Sequence, residues 1–302
     1  MGFIGLGIMG KPMAHNLIKA GYRLVVCDIV KEAVERLKTE GVQSADTPAE
    51  VAQKCNGLII TMLPNSPHVK EVVCGSRGIL SRAAENTIIV DMSSISPIAA
   101  QEICAEAEKK GVVYLDCPVS GGEPKAVDGT LAIMAGGDEK AFEKVKEILL
   151  KMGSSAVLVG KSGSGNVTKL ANQVIVALNI AAVSEALTLA ARAGVDPEKV
   201  YQAIRGGLAG STVLDAKAPM ILDGNFKPGF RIELHIKDLN NAVDTANAVC
   251  APVPLSEKVL GFLKELALEG HGMEDHSGLV QYYEKHAGIK IRKGNNAKEG
   301  AI

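Results

Sequence analysis

The chain has 302 residues, which is enough for one or two domains with a large hydrophobic core. Its 33 basic and 34 acidic residues give a net charge of -1, and no long basic run occurs, so a nucleic-acid-binding surface is not expected. Aromatic residues make up 3% of the chain and tryptophan is absent, which argues against base-stacking platforms.

The first 28 residues have the pattern of a dinucleotide-binding βαβ unit. An apolar strand is predicted at Met1–Ile4, a helix at Lys11–Ala20 and a second strand at Tyr22–Cys27, which is followed by Asp28. The turn between the first strand and the helix has G-x-G-x-x-G spacing and consists of Gly5, Leu6, Gly7, Ile8, Met9 and Gly10. A strand, this turn, a helix, a strand and a terminal acid form the fingerprint of an NAD-binding unit. The alternative is an ordinary glycine-rich turn.

Each glycine of the turn has a predicted role. Gly5 permits the tight turn, Gly7 lets the backbone approach a pyrophosphate, and Gly10 lets the helix pack closely on the strand. Unpaired N–H groups at the helix N-terminus favour the pyrophosphate anion. Asp28 can accept hydrogen bonds from both ribose hydroxyls, and its charge would repel a 2′-phosphate. The predicted cofactor is therefore NAD, and NADP is possible but less favoured.

From residue 31 to residue 160, helices alternate with short apolar strands. Helices are predicted at Lys31–Glu40, Ile98–Lys110 and Ala141–Met152. Strands are predicted at Gly57–Met62, Thr87–Asp91, Val112–Asp116, Thr130–Ala135 and Ala156–Val159. Such strands predict a parallel sheet that is covered on both faces, with ligands beyond the carboxyl ends of the strands. Leu63, Pro64, Ser94 and the segment 118–122 fall at those ends.

The pattern changes at the Gly/Ser-rich segment 161–165. A long helix is predicted at Asn166–Ala193, and its apolar stretch Val174–Ala191 is interrupted by Asn179 and Glu185, so it indicates a buried helix rather than a membrane span. Only helices are predicted after it, at Pro197–Arg205, Thr212–Leu222, Ile232–Ala248, Pro254–Leu268 and Ser277–His286.

The predicted fold class is an α/β Rossmann-type doubly wound sheet domain followed by an all-α domain, joined by the long interdomain helix. We place the NAD-binding domain at residues 1–162 and the helical domain, for substrate binding and oligomerisation, at residues 163–289. The polar segment 290–302 is expected to be a flexible tail.

One segment of the first half and one face of the long helix carry groups suited to chemistry on a small acid. Ser120, Gly121 and Gly122 follow a strand, and successive backbone N–H groups there would form a nest for a carboxylate; a simple turn is the alternative. Lys169 shares a helical face with Asn172 and Gln173, because they are three and four residues further along. Its mostly apolar neighbours favour a functional lysine over a solvated one.

Two further observations concern the second half and the chain as a whole. The segment Phe226–Phe230, with Lys237 and Asp238, marks a turn before a helix; a surface Lys–Asp pair is the alternative. The six histidines and six cysteines show no H-E-x-x-H or C-x-x-C spacing, and G-x-S-x-G does not occur, so no metal site is expected. The cysteines are typical of buried residues in a reducing compartment, and a cytoplasmic protein is expected.

Four motifs in order resemble the β-hydroxyacid dehydrogenases of the 3-hydroxyisobutyrate dehydrogenase family. They are residues 5–17, Asp116–Gly122, Gly163–Asn172, and Phe230 with Lys237 and Asp238; the resemblance extends from Met1 to about Ala287. It implies NADH as the cofactor, a small carboxylic-acid aldehyde as the substrate, and a homodimer or homotetramer, with no nucleic-acid or membrane partner.

The resemblance also implies residue roles. Lys169 matches the catalytic lysine of the family. The implied substrate-binding residues are Ser120, Gly121, Gly122, Asn172, Gln173 and Phe230. The implied residues near the nicotinamide and its ribose are Leu63, Pro64, Ser94 and Lys237.

Two stretches, 166–185 and 201–218, resemble family members that reduce tartronate semialdehyde (2-hydroxy-3-oxopropanoate) to glycerate. The resemblance therefore implies that reaction, with Lys169 as the general acid. Alternatives are reduction of succinic semialdehyde or glyoxylate, and oxidation of 3-hydroxyisobutyrate, although Gln173 stands where dehydrogenases of that acid carry an asparagine. A non-catalytic nucleotide-binding module is a further alternative, against which the presence of Lys169 argues.

Overall fold

The computed structural model describes residues 1–38, 41–55 and 57–294. The chain divides into two compact units, Met1–Lys169 and Leu170–Ile302. The first unit contains all of the strands in the described residues, and the second unit is helical. The predicted fold class, a Rossmann-type sheet followed by a helical region, is confirmed.

The first unit is built on one sheet. Its described strands are β1 (Gly2–Ile4), β2 (Val25–Cys27), β3 (Gln43–Ser44), β4 (Leu58–Thr61), β5 (Ile88–Asp91), β6 (Val113–Asp116), β7 (Val119–Ser120), β8 (Leu131–Gly136) and β9 (Gly153–Gly160). The order is β3-β2-β1-β4-β5-β6-β8-β7, and β9 pairs with β8. Strands β1 to β6 pair in parallel, but β8 runs antiparallel to β6 and β7. The prediction of a wholly parallel sheet is wrong at that end.

Successive strand residues face opposite sides of the sheet, and both sides are covered. Phe3 and Val26 belong to one buried apolar cluster, whereas Ile4 and Val25 belong to the other. This explains why the strands read as continuous apolar runs. The covering helices of the first unit are α1 (Gly10–Lys19), α2 (Lys31–Lys38), α3 (Pro48–Lys54), α4 (Ser66–Cys74), α5 (Pro97–Glu108), α6 (Gly122–Asp128) and α7 (Glu139–Leu149).

Several short elements are absent from the sequence-based prediction. Helix α3 begins at Pro48 after an N-cap Thr47, whose hydroxyl accepts a hydrogen bond from the Glu50 N–H at 3.1 Å. Helix α4 begins at Ser66, with Pro67 also in its first turn, and the side chain of its N-cap Asn65 accepts a hydrogen bond from the Ser66 N–H at 2.8 Å. Proline is favoured in the first helical turn, but from the amino-acid sequence alone these prolines suggest turns. The other missed elements are β3, β7 and α6. The predicted end of α2, at residues 39 and 40, lies outside the described residues.

The long helix α8 covers Ser164–Arg192. By length and composition alone, it is the one helix among the described residues that could cross a membrane, a property it shares with core helices. Its buried residues contribute to two apolar clusters of the second unit: Ala177, Ile180 and Ala181 to one, Val183, Leu187 and Ala191 to the other. The second unit continues with α9 (Pro197–Ile204), α10 (Thr212–Asp223), α11 (Ile232–Ala248), α12 (Pro254–Leu266) and α13 (Val280–Ala287).

Three differences from prediction concern the C-terminal region. Helix α12 ends at Leu266 and is followed by a π-helical turn, and α13 is preceded by a 3₁₀ turn. The segment from residue 290 to residue 294 is not the expected mobile tail. The buried Glu284 carboxylate accepts hydrogen bonds from Lys290, from the backbone N–H of Ile291 and from Arg292, and the Ile291 side chain is fully buried. Residues 295–302 of the predicted tail lie outside the described residues.

Candidate functional site

The glycine-rich turn between β1 and α1 has the close backbone contacts that its sequence predicts. Gly5 has φ +98°, and a Cβ atom there would lie 2.2 Å from the carbonyl oxygen of Met62. A Cβ at Gly10 would lie 1.9 Å from the carbonyl oxygen of Gly5. At Gly7, by contrast, a Cβ would meet no heavy atom within 4 Å. The backbone is therefore in close contact with neighbouring backbone at Gly5 and Gly10. At Gly7 there is free space, where a dinucleotide pyrophosphate would approach.

Asp28 is held in a fixed orientation at the end of β2. Its Oδ2 accepts a hydrogen bond from the Leu6 N–H at 2.5 Å, and its Oδ1 accepts one from the Val30 N–H at 2.7 Å. A cavity of about 730 Å³ opens beside it and is lined by Leu6, Gly7, Ile8, Asp28, Val30 and several residues of α1. A glycine turn, a fixed carboxylate and an adjoining cavity fit the adenosine and pyrophosphate part of a dinucleotide.

A second carboxylate, Asp91, organises the loops after β4 and β5. It is fully buried at the end of β5 and accepts hydrogen bonds from the hydroxyls of Thr61, Ser93 and Tyr114 at 2.8, 2.5 and 2.8 Å. Burial raises the pKa of Asp91, although these donors oppose the rise. The Ser93 hydroxyl also accepts from the Leu63 N–H at 2.8 Å. Asp91 thereby fixes Leu63 through Ser93, a link that sequence reasoning missed.

The Ser-Gly-Gly segment is the start of a helix rather than an isolated turn. Ser120 ends β7, Gly121 precedes α6 with φ +140°, and Gly122 is the first residue of that helix with φ +69°. The N-cap residue of this helix is Gly121, which has no side chain with which to cap it. These positive φ values are accessible to glycine, and successive backbone N–H groups in such a turn can form an anion site.

A third carboxylate, Asp116, binds the first turn of α8. Its Oδ1 accepts a hydrogen bond from the Gly163 N–H at 2.7 Å, and its Oδ2 accepts one from the Asn166 N–H at 2.8 Å. Burial raises the pKa of Asp116 to about 6, and the Asp91 charge adds to the rise, while the Asn166 and Gly163 N–H groups oppose it. Sequence reasoning noted this residue only as part of a motif.

Lys169 lies in the second turn of α8 and is only 7% exposed. A lysine this deeply buried is uncommon unless it has a partner or a function. This burial excludes the alternative of a solvated helix-surface lysine.

In the second unit, a buried polar network joins three of the predicted site residues. The Asn172 amide donates to Oε1 of Gln173 at 2.9 Å, and the Gln173 amide donates to Oδ2 of Asp238 at 2.6 Å. The other carboxylate oxygen of Asp238 lies 3.1 Å from Nζ of Lys237. Asp238 therefore links Gln173 to Lys237, although sequence reasoning assigned it no role of its own.

Phe230 is held by residues about 45 positions further along the chain. The N–H groups of Gly229 and Phe230 both donate to Oδ2 of Asp275 at 3.0 Å, and Lys217 binds Oδ1 at 2.9 Å. Burial opposes ionisation of Asp275, but His276 and Lys217 lower its pKa to about 2. The ring of Phe230 also packs against the rings of His235 and His276, with centroids 5.8 and 5.2 Å away.

Across the part of the chain that the structure describes, no group of three or more His, Cys, Asp or Glu side chains is arranged to hold a metal ion. The buried carboxylates above instead bind backbone N–H groups, hydroxyls, an amide and lysines.

Known protein families match both halves of the chain. Residues 1–160 match the NAD binding domain of 6-phosphogluconate dehydrogenase, and residues 163–283 match the family described as NAD-binding of NADP-dependent 3-hydroxyisobutyrate dehydrogenase. The 2-hydroxy-3-oxopropionate reductase of Escherichia coli is 45% identical over 96% of this chain and 99% of that protein. The mitochondrial 3-hydroxyisobutyrate dehydrogenase of Rattus norvegicus is 37% identical over 93% of this chain and 86% of that protein.

A similar solved structure is the 3-hydroxyisobutyrate dehydrogenase of Mycobacterium tuberculosis with L-serine. It has a TM-score of 0.86 and 30% sequence identity, and the match covers 93% of this chain and 98% of that one.

The buried Asp116 carboxyl should make stability depend on pH. Its pKa of about 6 in the folded chain lies above the usual aspartate value of 3.8, so the folded chain holds this proton more tightly than the unfolded chain. Its contribution to the free energy of unfolding should rise by about 2 kcal/mol as the pH falls from 7.5 to 4.5. Urea unfolding of the wild type and of Asp116→Asn at both pH values isolates this contribution. A difference between the two proteins that does not change with pH would contradict the assignment.

Proposed function

The chain belongs to the β-hydroxyacid dehydrogenase family and is an NAD-binding oxidoreductase acting on CH–OH groups; from this premise we propose that it reduces tartronate semialdehyde to glycerate with NADH. The observation that carries the choice of substrate is the 45% identity, over 96% of the chain, to a 2-hydroxy-3-oxopropionate reductase. The buried Lys169 on α8 supports catalysis over a purely nucleotide-binding role.

In the proposed mechanism, Lys169 is the general acid. The bound cofactor supplies the hydride that is added to the aldehyde carbon. As an ammonium group, Lys169 hydrogen-bonds to the aldehyde oxygen, stabilises the negative charge that develops there and donates the proton that completes the new hydroxyl group. The reverse oxidation requires neutral Lys169 as a base, so that direction should be favoured at higher pH.

Residues of the first unit supply the remaining groups for the acid and the cofactor. We assign the substrate carboxylate to the backbone N–H groups of Gly121 and Gly122 with the hydroxyl of Ser120, because two glycines with positive φ form a nest for an anion. Gly5, Leu6, Gly7, Ile8, Met9 and Gly10 bind the pyrophosphate, and Asp28 binds the adenosine ribose. We assign Leu63, Pro64 and Ser94 to the nicotinamide, which they would contact when the cofactor is bound; the hydrogen bond from Leu63 to Ser93 fixes part of that loop.

Residues of the second unit complete the assignment. We assign substrate contacts to Asn172, Gln173 and Phe230, and we assign Lys237 to the ribose that carries the nicotinamide. The hydrogen bond from Gln173 to Asp238 and the ion pair between Asp238 and Lys237 support this, because they restrict the orientations of both side chains.

Other small acid aldehydes, and the hydroxy acid 3-hydroxyisobutyrate in the oxidative direction, are the second candidate substrates. Succinic semialdehyde and glyoxylate carry the same carboxylate and carbonyl groups, and 3-hydroxyisobutyrate is the substrate named for several relatives. A binding pocket discriminates one methylene by only about 1–3 kcal/mol, so some overlap among these compounds is expected.

We also propose that the protein is a cytoplasmic homodimer or homotetramer. Ile175, Ala182 and Leu189 of α8 are spaced by seven residues, lie on one face of the helix and are all exposed. An exposed apolar stripe of this kind is typical of a subunit interface. Light scattering that gives the mass of a monomer at micromolar concentration would contradict the proposal.

A panel of acid aldehydes tests the proposed substrate. With purified protein and NADH, kcat/KM for tartronate semialdehyde should exceed the values for succinic semialdehyde and glyoxylate by about tenfold or more, because the pocket must bind the additional hydroxyl group. The measurement is NADH consumption at 340 nm. A higher kcat/KM for another member would replace the substrate, and no turnover with any member would reject catalysis.

Removing the Lys169 amine should stop the chemistry without releasing the cofactor. Lys169→Ala should lower kcat by about 10²–10⁴-fold, the contribution typical of a general acid, and change the Kd of NADH by less than about twofold. Lys140→Ala, which removes an exposed lysine at the start of α7, is the matched control and should keep wild-type kcat. Turnover of Lys169→Ala close to that of the control would rule out this lysine as the acid.

Asp28 should determine the preference between the two cofactors. Asp28→Asn removes the charge but keeps an acceptor for one of the two N–H groups, so the NADPH-to-NADH ratio of kcat/KM should rise about tenfold or more. Asp46→Asn, at an exposed acid, is the control. An unchanged ratio in Asp28→Asn would show that its charge does not select the cofactor.

A further inference from the structure

Asp116 has no role in the proposed proton transfer, yet it is the carboxylate that holds the helix of the catalytic lysine. It is fully buried at the end of β6 and accepts hydrogen bonds from the N–H of Gly163, the residue before α8, and from the N–H of Asn166 in its first turn. Asn166 is three residues before Lys169, which is one helical turn. The carboxylate therefore acts on the backbone one turn before the predicted general acid.

The Asn166 side chain ties the same turn to a second loop. Its Oδ1 accepts a hydrogen bond from the Ile95 N–H at 3.0 Å, and its amide nitrogen lies 3.4 Å from Oδ2 of Asp116. Ile95 directly follows Ser94, one of the residues assigned to the nicotinamide. The first turn of α8 is thus fixed to the carboxyl ends of both β5 and β6.

Glycines allow the helix backbone to touch the sheet at this point. A Cβ atom at Gly165 would lie 2.3 Å from the carbonyl oxygen of Asp116 and 2.5 Å from that of Met134. A Cβ at Gly136 would lie 2.6 Å from Oδ1 of Asp116. Because no side chain separates the first turn of α8 from β6 and β8, small changes at Asp116 displace the helix backbone directly.

The contact of the Asp116 carboxylate with Gly163 and Asn166 at the start of α8, which we call the anchor, is unusual for a purely structural contact. Burying an ionised carboxylate opposes folding, and an uncharged hydrogen-bonding side chain would avoid that cost. The charge does, however, interact favourably with the positive end of α8 and makes strong hydrogen bonds to its N–H groups. A site that needs a lysine placed within a fraction of an ångström benefits from such an anchor.

We propose that Asp116 is a positioning residue for Lys169: it fixes the first turn of α8 on the sheet, so that the lysine amine stays in register with the bound aldehyde. This inference rests on the proposed role of Lys169. It predicts that loss of the Asp116 carboxylate lowers kcat only in proteins that retain the lysine.

The test is a double-mutant cycle between Asp116 and Lys169. Asp116→Asn should lower kcat about 10- to 100-fold when Lys169 is present and less than about twofold in the Lys169→Ala background, because effects that act through one group are not additive. The Kd of NADH should change by less than about twofold. A purely structural role would lower kcat equally in both backgrounds, and that result would overturn the proposal.

A second variant and a control keep the test decisive if Asp116→Asn folds poorly. Asn166→Ala removes the side-chain bond to Ile95 but leaves the backbone in place, and it should give the same pattern of kcat. Asp138→Asn is the matched control, because Asp138 caps α7 by accepting from the Ala141 N–H at 2.8 Å, and α7 carries no site residue. It should lower Tm slightly and leave kcat unchanged; a similar fall in kcat in this control would overturn the proposal.

Hydrogen–deuterium exchange separates this inference from the proposed reaction. Peptides covering residues 163–172 should exchange at least tenfold faster in Asp116→Asn and Asn166→Ala than in wild type or Asp138→Asn. Unchanged exchange would overturn the anchor whatever the activity is. Faster exchange in a protein that reduces no aldehyde of the panel would support the anchor and reject the proposed function alone.

Discussion

The two hydrogen bonds from the start of α8 to Asp116 are the contact on which the proposed catalytic arrangement depends. It joins the carboxyl end of a central strand to the helix that carries Lys169, and it does so with a charge that is costly to bury. Most contacts in the first unit are apolar and bury both faces of the sheet. Those contacts stabilise the fold, but an apolar surface tolerates small shifts that a pair of directional hydrogen bonds does not.

An aspartate carboxylate that accepts backbone N–H hydrogen bonds occurs at three strand ends. Asp28 after β2, Asp91 at the end of β5 and Asp116 at the end of β6 each accept hydrogen bonds from backbone N–H groups of a neighbouring loop or helix start. In a parallel sheet these ends lie on one edge, where the strand backbones leave the sheet and loops begin. A carboxylate at this point can replace the lost ladder partners, and so the loops that bind ligand are ordered by the sheet itself.

A feature could be predicted from the sequence when the residues that determine it lie close together in the chain. The glycine turn, Asp28 and the long helices are encoded within a few residues by spacing and periodicity, and helix α11 was predicted at its observed bounds, Ile232–Ala248. The short proline-started helices were missed because the same residues favour turns. The antiparallel β8 was missed because an apolar run does not encode strand direction. The partners of Asp116, about 50 residues away, cannot be read from any local pattern.

The reaction class is a property of the whole family, whereas the identity of the substrate depends on a few side chains. The family relationship supports hydride transfer to or from a small hydroxy acid, and relatives that match most of this chain are named for different hydroxy acids. The acid itself is selected by a few side chains, each worth about 1–3 kcal/mol for a methylene. Here the side chain of Gln173 is held by Asn172 and Asp238. If Gln173 contacts the substrate as proposed, a change at any of the three residues alters the shape of the binding site, and specificity is a property of that hydrogen-bonded group rather than of one residue.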